Sequence, residues 1–252
     1  MILLLGGTSE SLLVADELTR LGDQFIISVV SDYGVQLSRP HAQHVVKTNF
    51  NSQSLTQFCR QEHISVMIDA THPFARVISQ LAITVAGQLK ISYLRFERPN
   101  RYETTAELHM VDSTLGACEY LENHPGRVYL STGSQTAATY VQKLGVSRLH
   151  VRALPTVRAM TLLAQAGFLP KQIDAIQGPF SKALNVDLFR HARSEIVVTK
   201  ESGRRGGVAE KMAACADLKL PCVVIRRPQL HYPKVVSTIN DLRKELATNE
   251  KR

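Results

Sequence analysis

The chain contains no tryptophan, and aromatic residues make up only 6% of it. A nucleic-acid surface built from stacked aromatic side chains has little to draw on in such a composition. No apolar run reaches the roughly 18 residues that a membrane-spanning helix requires, so no membrane segment is expected. The first apolar stretch begins at residue 2 with no basic segment ahead of it, and no secretory signal is expected. The only cysteines, Cys59, Cys118, Cys215 and Cys222, are scattered and form no C-x-x-C pair. That excludes a disulfide scaffold and a zinc ribbon, and points to a reduced, cytoplasmic protein. His41 and His44 have ligand spacing but no further ligand near them in sequence, so no metal site is expected.

What the chain does have is an excess of positive charge. Its 30 lysines and arginines against 22 acids give a formal net charge of +8. These cations are dispersed, with short pairs at Arg204-Arg205 and Arg226-Arg227 in place of long runs. A small polyanionic ligand accounts for such a surplus as well as nucleic acid does.

The 252 residues alternate short apolar runs with helical stretches. Strands are expected at 2–5, 25–30, 44–48, 64–69 and 91–95, then at 108–111, 127–131, 147–152, 173–177, 195–199 and 222–225. Helices fill the intervals at 9–21, 52–62, 74–89, 113–123, 134–143, 156–166, 180–192, 206–217 and 237–247. This alternation predicts an α/β fold of parallel sheets covered on both faces by helices. The one polar break, RFERPNRYETTAE at 95–107, divides the chain into two doubly wound domains, 1–98 and 99–252, with a cleft between them. In such sheets ligands bind beyond the carboxyl ends of the strands, so the turns that follow strands carry the chemistry.

The first of these is Gly6-Gly7-Thr8-Ser9. Glycines leave backbone N–H groups approachable, Ser9 stands where an N-cap belongs, and the helix start favours an anion. The full dinucleotide fingerprint G-x-G-x-x-G is not met, because Ser11 and Leu12 stand where a third glycine would be. Ser31, just after the second strand, joins this candidate cofactor set. Asp32 beside it is placed to bind a ribose 2′-hydroxyl and to repel a 2′-phosphate. After the fourth strand, DATHPFA brings Thr71, a potential cap, and His72, a potential proton donor. YLRFERP supplies Arg95 and Arg98, an arginine pair suited to carboxylates. STGSQ gives Thr132, Gly133, Ser134 and Gln135 as a second anion-binding turn. GPFS contributes Ser181. KESGRRGGVAEK contributes Lys200, Ser202 and Gly203, with Lys211 on the following helix. Each turn also admits a purely structural reading as a cap or a solvated loop.

Taken in order, GGTSE, DATHPFA, YLRFERP, STGSQ, GPFS and KESG…GG…EK resemble the precorrin-6A reductases of cobalamin biosynthesis, and the resemblance spans essentially the whole chain. It implies two Rossmann-like domains and NADPH as hydride donor. The implied substrate is precorrin-6A, or its cobalt-containing counterpart, reduced at one macrocycle double bond. One departure is visible at Ser134, where the family more often carries arginine in a T-G-R-Q turn. On this resemblance His72 and Lys200 are the candidate catalytic residues. Gly6 to Ser9, Ser31 and Thr132 to Gln135 are the candidate cofactor residues. Thr71, Arg95, Arg98, Ser181, Lys200, Ser202, Gly203 and Lys211 are the candidate substrate residues. Carboxylates of the tetrapyrrole and phosphates of the cofactor both suit a chain of this charge. The alternatives are another NAD(P)-dependent Rossmann oxidoreductase and a non-catalytic nucleotide-binding protein. No tyrosine is followed four residues later by lysine, which argues against a short-chain dehydrogenase. Oligomeric state stays open.

Overall fold

A computed structural model describes residues 1–97, 107–202 and 207–249. The chain begins with β1 (Ile2–Leu5), α1 (Ser9–Leu21), β2 (Phe25–Val29), α2 (Asp32–Ser38), β3 (His44–Lys47), α3 (Ser52–Gln61), β4 (Val66–Asp69), α4 (Arg76–Leu89) and β5 (Ser92–Phe96). It continues with β6 (Leu108–Val111), α5 (Thr114–Glu122), β7 (Val128–Ser131), a 3-10 turn at Ser134–Thr136, α6 (Ala137–Leu144), β8 (Leu149–Ala153) and α7 (Val157–Gln165). Then come β9 (Ile173–Ala175), α8 (Lys182–His191), β10 (Ile196–Lys200), α9 (Val208–Leu218), β11 (Cys222–Ile225), β12 (Val235–Val236) and α10 (Ile239–Asn249).

Two compact units result. One comprises Met1–Pro99 together with Pro228–Arg252, and the other Asn100–Arg227. The first holds a six-stranded sheet in the order β12-β5-β4-β1-β2-β3, the second a sheet in the order β6-β11-β10-β7-β8-β9. Every strand pair is parallel. Read from β3, the first sheet is the Rossmann order 3-2-1-4-5 with β12 in sixth place. Read from β9, the second has the same winding, with β6 beside β11 in sixth place. The strand that follows β5 in sequence therefore joins the second sheet, and the strand that follows β11 returns to the first.

That return differs from the division at residue 98 expected from sequence, which assigned everything beyond it to the second domain. The cause is a two-residue strand, too short to show a pattern of its own. Val235 and Val236 pair with Arg95 and Phe96, and the carbonyls of Lys234 and Val236 extend the sheet by accepting from the Arg95 and Glu97 amides. α10 then lays Leu242 and Leu246 into the same core as Val14 and Leu18 of α1. Its Arg243 closes a two-point ion pair onto Glu17 at 2.6 and 3.0 Å. Helix α2 was also not expected, because its seven residues show no apolar period.

The central strands are buried on both faces, as a parallel sheet demands. In β1, Ile2 and Leu4 face α1 and α10, while Leu3 and Leu5 face α3 and α4. Each such leucine removed from water contributes about 1.5–3 kcal/mol, which fixes the strand end from which the first glycine turn springs.

Candidate functional site

In the first unit the winding direction reverses between β1 and β4, and the turns after these two strands lie side by side. Gly7 has φ of +103°, exposed, with open space where a side chain would stand. Gly6 is different. A Cβ there would meet the side chain of Ile27 at 2.9 Å, so this glycine answers to packing. Thr8, and not Ser9, is the N-cap of α1: its Oγ1 accepts from the Ser11 N–H at 3.1 Å and donates to the Ala70 carbonyl at 2.7 Å. The Ser11 hydroxyl in turn accepts from the Gly7 and Thr8 amides. Thr8 is thereby a clasp between the two turns. Ser9 begins the helix and donates to Glu10. Ser31 caps α2 by accepting from Gly34, and Asp32 beside it is paired by both oxygens with Lys47 at 2.7 Å.

Beyond β4, Asp69 is fully buried and organises everything around it. Its Oδ1 accepts from the Thr71 amide, the Thr71 hydroxyl and Arg95 Nη1 at 3.0, 2.7 and 2.8 Å. Its Oδ2 accepts from the Tyr93 hydroxyl at 2.7 Å. Burial alone would raise the Asp69 pKa, but Arg95 and the hydroxyls outweigh it and hold the group ionised. Arg95 is only 1% exposed, with its Nε on Glu97 at 2.9 Å and its guanidinium 5.2 Å from the ring of Tyr232. The expectation that Arg95 grips a ligand carboxylate therefore gives way to an internal role. Its charge is already matched by Asp69 and Glu97, inside a parallel sheet whose buried cations need such partners. Thr71 is drawn into the same network and is likewise buried. The network positions His72, which is exposed. His72 Nδ1 lies 3.2 Å from the Phe74 amide, which donates to it, leaving the ring proton on Nε2.

The second unit repeats the arrangement between β7 and β10. Gly133 has φ of +78° with nothing near the place of a Cβ. It stands in the turn that carries Thr132, Ser134 and Gln135. Here the clasp is a lysine: Lys200 Nζ donates to the Thr132 carbonyl at 3.0 Å. Burial pushes the Lys200 pKa down. The Ser202 amide folds back onto the Lys200 carbonyl at 2.7 Å.

On the α8 and α9 side of this sheet, sequence reading missed a polar row. Arg152, 5% exposed, donates to Asn185 at 2.9 Å and to Ser131 at 2.6 Å, and its guanidinium lies 4.5 Å from the ring of Phe180. Asp174 accepts from Tyr129 and pairs with His150 at 3.0 Å. Lys211 enters from α9 with its Nζ 3.4 Å from Thr199, and burial, seconded by Arg152, lowers its pKa to about 7. Lys211 is thus a buried neighbour of the candidate turn and not a surface clamp. Ser181 caps α8 by accepting from Leu184. The signal for the row was present in the sequence, since Arg152 and His150 interrupt an otherwise apolar strand.

Arg98 and Gly203 lie outside the described residues. Among the described residues no group of histidine, cysteine, aspartate or glutamate could hold a metal ion. His41 pairs instead with Asp16 at 2.6 Å. All four cysteines are free and buried. No described helix is long and apolar enough to cross a membrane.

With this geometry in place, comparison with known proteins is informative. Residues 1–247 match the model of the family described as precorrin-6x reductase CbiJ/CobK. The cobalt-precorrin-6A reductase of Priestia megaterium is 34% identical over 246 residues, covering 96% of each chain. That of Methanocaldococcus jannaschii is 32% identical over 249 residues, covering 98% of each. A solved CobK precorrin-6A reductase superposes with a TM-score of 0.82 at 25% identity, covering 98% of this chain and 96% of that one. Two parallel Rossmann-like sheets, each with a clasped glycine turn at its reversal point, and a match along nearly the full length together place this chain in the precorrin-6x reductase family.

Proposed function

We propose that the protein reduces one macrocycle double bond of cobalt-precorrin-6A, with NADPH as the hydride donor. The observation that carries this reading is the pair of open, positive-φ glycines, Gly7 and Gly133, at the reversal points of the two sheets of a precorrin-6x reductase. A side chain at either position would stand where a phosphate must approach the backbone, and neither glycine is required by packing. The residues present therefore fit a dinucleotide. When bound, the cofactor supplies the hydride; the protein supplies orientation, charge and a proton.

Each unit thus carries its own candidate phosphate seat, the open space at Gly7 beside the start of α1 in the first and the turn from Thr132 to Gln135 in the second. Asp32 does not forbid a 2′-phosphate, because Lys47 balances its charge at 2.7 Å. The proton is assigned to Lys200 or His72. Lys200 has its pKa lowered by burial, which eases proton release. His72 carries its proton on the outward nitrogen. In the second unit the exposed apolar side chains of Leu154 and Val157 follow closely on the carboxyl end of β8, and they suit the face of a flat macrocycle. The cobalt-bearing substrate is preferred because the relatives at 34% and 32% identity carry that name.

Anaerobic incubation of the purified protein with NADPH and either precorrin-6A or its cobalt form tests this, following absorbance at the nicotinamide and macrocycle bands. Stoichiometric NADPH oxidation with the cobalt form is expected. Failure to oxidise NADPH with either substrate would overturn the proposal, and faster turnover of the metal-free form would overturn the choice of substrate. A kinetic preference for NADH would overturn the choice of cofactor.

A further inference from the structure

The second unit contains a concave site that the proposed reaction does not use. It is a cavity of about 540 Å³ at the amino ends of the strands, lined from the residues just before β7 (Arg127), β8 (Arg148) and β9 (Gly167, Leu169, Lys171 and Gln172) and just after α8 (Arg193). Ligands of the reaction belong at the opposite, carboxyl edge of the same sheet. Four permanently charged side chains line it, Arg127, Arg148, Lys171 and Arg193, with His191 beside them and no carboxylate among the lining residues.

Cations do occur at this edge for a structural reason, since the carbonyl ends of the helices point here. Arg148 meets that description: its guanidinium donates to the carbonyls of Leu121, His124 and Gly126 at 2.8 to 3.3 Å. The other three do not. Arg127, Lys171 and Arg193 are exposed residues of the cavity lining whose side chains make no ion pair or hydrogen bond among the described residues. Two carboxylates outside the lining bond groups of lining residues without pairing with any of these three cations. Glu195 accepts from the Arg127 backbone amide at 2.7 Å, and Asp174 pairs with His150. A concavity lined by one sign of charge focuses its field and concentrates counter-ions.

From this we infer that the cavity binds a small polyphosphate of about nucleotide size. The volume falls within the roughly 300–1,000 Å³ of small-molecule sites. Two guanidinium groups and an ammonium match the two or three negative charges of a diphosphate, and arginine forks suit its oxygens. Leu169, 54% exposed on the same wall, offers an apolar surface to a base or sugar. The inference stands on the second unit alone and is independent of the reaction proposed above.

The test is calorimetric titration of ADP and of inorganic pyrophosphate into the wild-type protein and into the triple variant R127A/K171A/R193A. These three residues are exposed and lie outside the proposed reaction site, so the variant should fold and retain reductase turnover. Wild-type protein is expected to bind both probes, with ADP the tighter. The variant should lose at least tenfold in affinity, or one whole binding event if the carboxyl edge also takes the probe. Unchanged isotherms in the variant would overturn the inference, as would absence of binding to the wild type. Pyrophosphate binding without any gain for ADP would overturn the nucleotide-sized assignment.

Discussion

Arg95 offers the sharpest contrast between a residue that binds ligand and one that holds a site together. Its position at the end of a strand in an arginine-rich stretch suggests a substrate clamp. Its surroundings say otherwise, with Asp69 0% and Arg95 1% exposed and their atoms 2.8 Å apart. Replacing Arg95 by methionine keeps most of the stem volume and removes the charge. Asp69 would retain the Thr71 amide, the Thr71 hydroxyl and the Tyr93 hydroxyl, but as a buried carboxylate without a cation. Breaking such a pair from one side costs about 3–5 kcal/mol. For a chain of this size that corresponds to a fall in melting temperature of roughly 6–20 °C.

Circular dichroism melts supply the assay, with binding titrations on whatever fraction stays folded. The double variant D69N/R95M tests the cause, because it leaves neither charge behind. It should recover more than half of the loss, a coupling that independent sites would not show. A clamp predicts the reverse pattern, a stable R95M protein whose substrate affinity falls ten- to a hundredfold for a lost charge-assisted bond of about 1.5–3 kcal/mol. If R95M melts within about 2 °C of wild type, a shift below 1 kcal/mol, the argument from burial is refuted.

Thr8→Ala removes a helix cap and strips the buried Ala70 carbonyl of its donor, so stability should fall by about 1–3 kcal/mol in urea titrations. Ligand affinity measured on the folded protein should move far less. Glu17 has its pKa held at about 2 by Arg243 first and Arg20 second. Because the folded value is depressed, its stabilising contribution is complete above about pH 4.5 and is lost as pH falls towards 2. Arg243→Ala should therefore lower stability at pH 6 and flatten its decline between pH 4.5 and 2, read by urea unfolding across that range. Lys211 titrates at about 7 when folded against an ordinary 10.5. The unfolded chain binds more protons between those values, so stability should rise with pH across that window, and Lys211→Met should abolish the rise.

The sheet architecture was legible because buried parallel strands announce themselves as unbroken apolar runs. ILLL, FIISVV and CVVI are each expected as strands, and strands form at Ile2–Leu5, Phe25–Val29 and Cys222–Ile225. The chain's return to the first unit was not legible. Val235 and Val236 form two residues of strand in a stretch rich in proline and charge, and their place is set by the bonds that Lys234 and Val236 accept from the Arg95 and Glu97 amides, not by local propensity. Local sequence also misplaced the first cap by one residue. Thr8 and Ser9 are equally good capping types, and the choice between them rests on a bond to Ala70, which is 62 residues away in sequence.

The candidate site divides along a related line. Turns that follow strands could be found from sequence, since glycine and hydroxyl residues between a strand and a helix mark the ligand edge of a wound sheet. What each side chain does there could not, because it depends on which charge lies across the sheet. Arg95 and Arg152 both sit at the ends of interior strands and both are buried, yet one faces two carboxylates while the other donates to an amide and a hydroxyl. Two arginines of identical local appearance are thus set apart by partners on neighbouring strands, Asp69 in the first sheet and Ser131 in the second. The pairing registers Asp69 to Arg95 on one side, and Tyr129 to His150 with Leu130 to Val151 on the other, decide this, and register is a property of the assembled sheet. The first unit therefore neutralises its buried arginine in place. The second keeps Arg152 near enough to Lys211 to add to burial in lowering the lysine's pKa, so its two buried cations oppose each other where the first unit's arginine is matched.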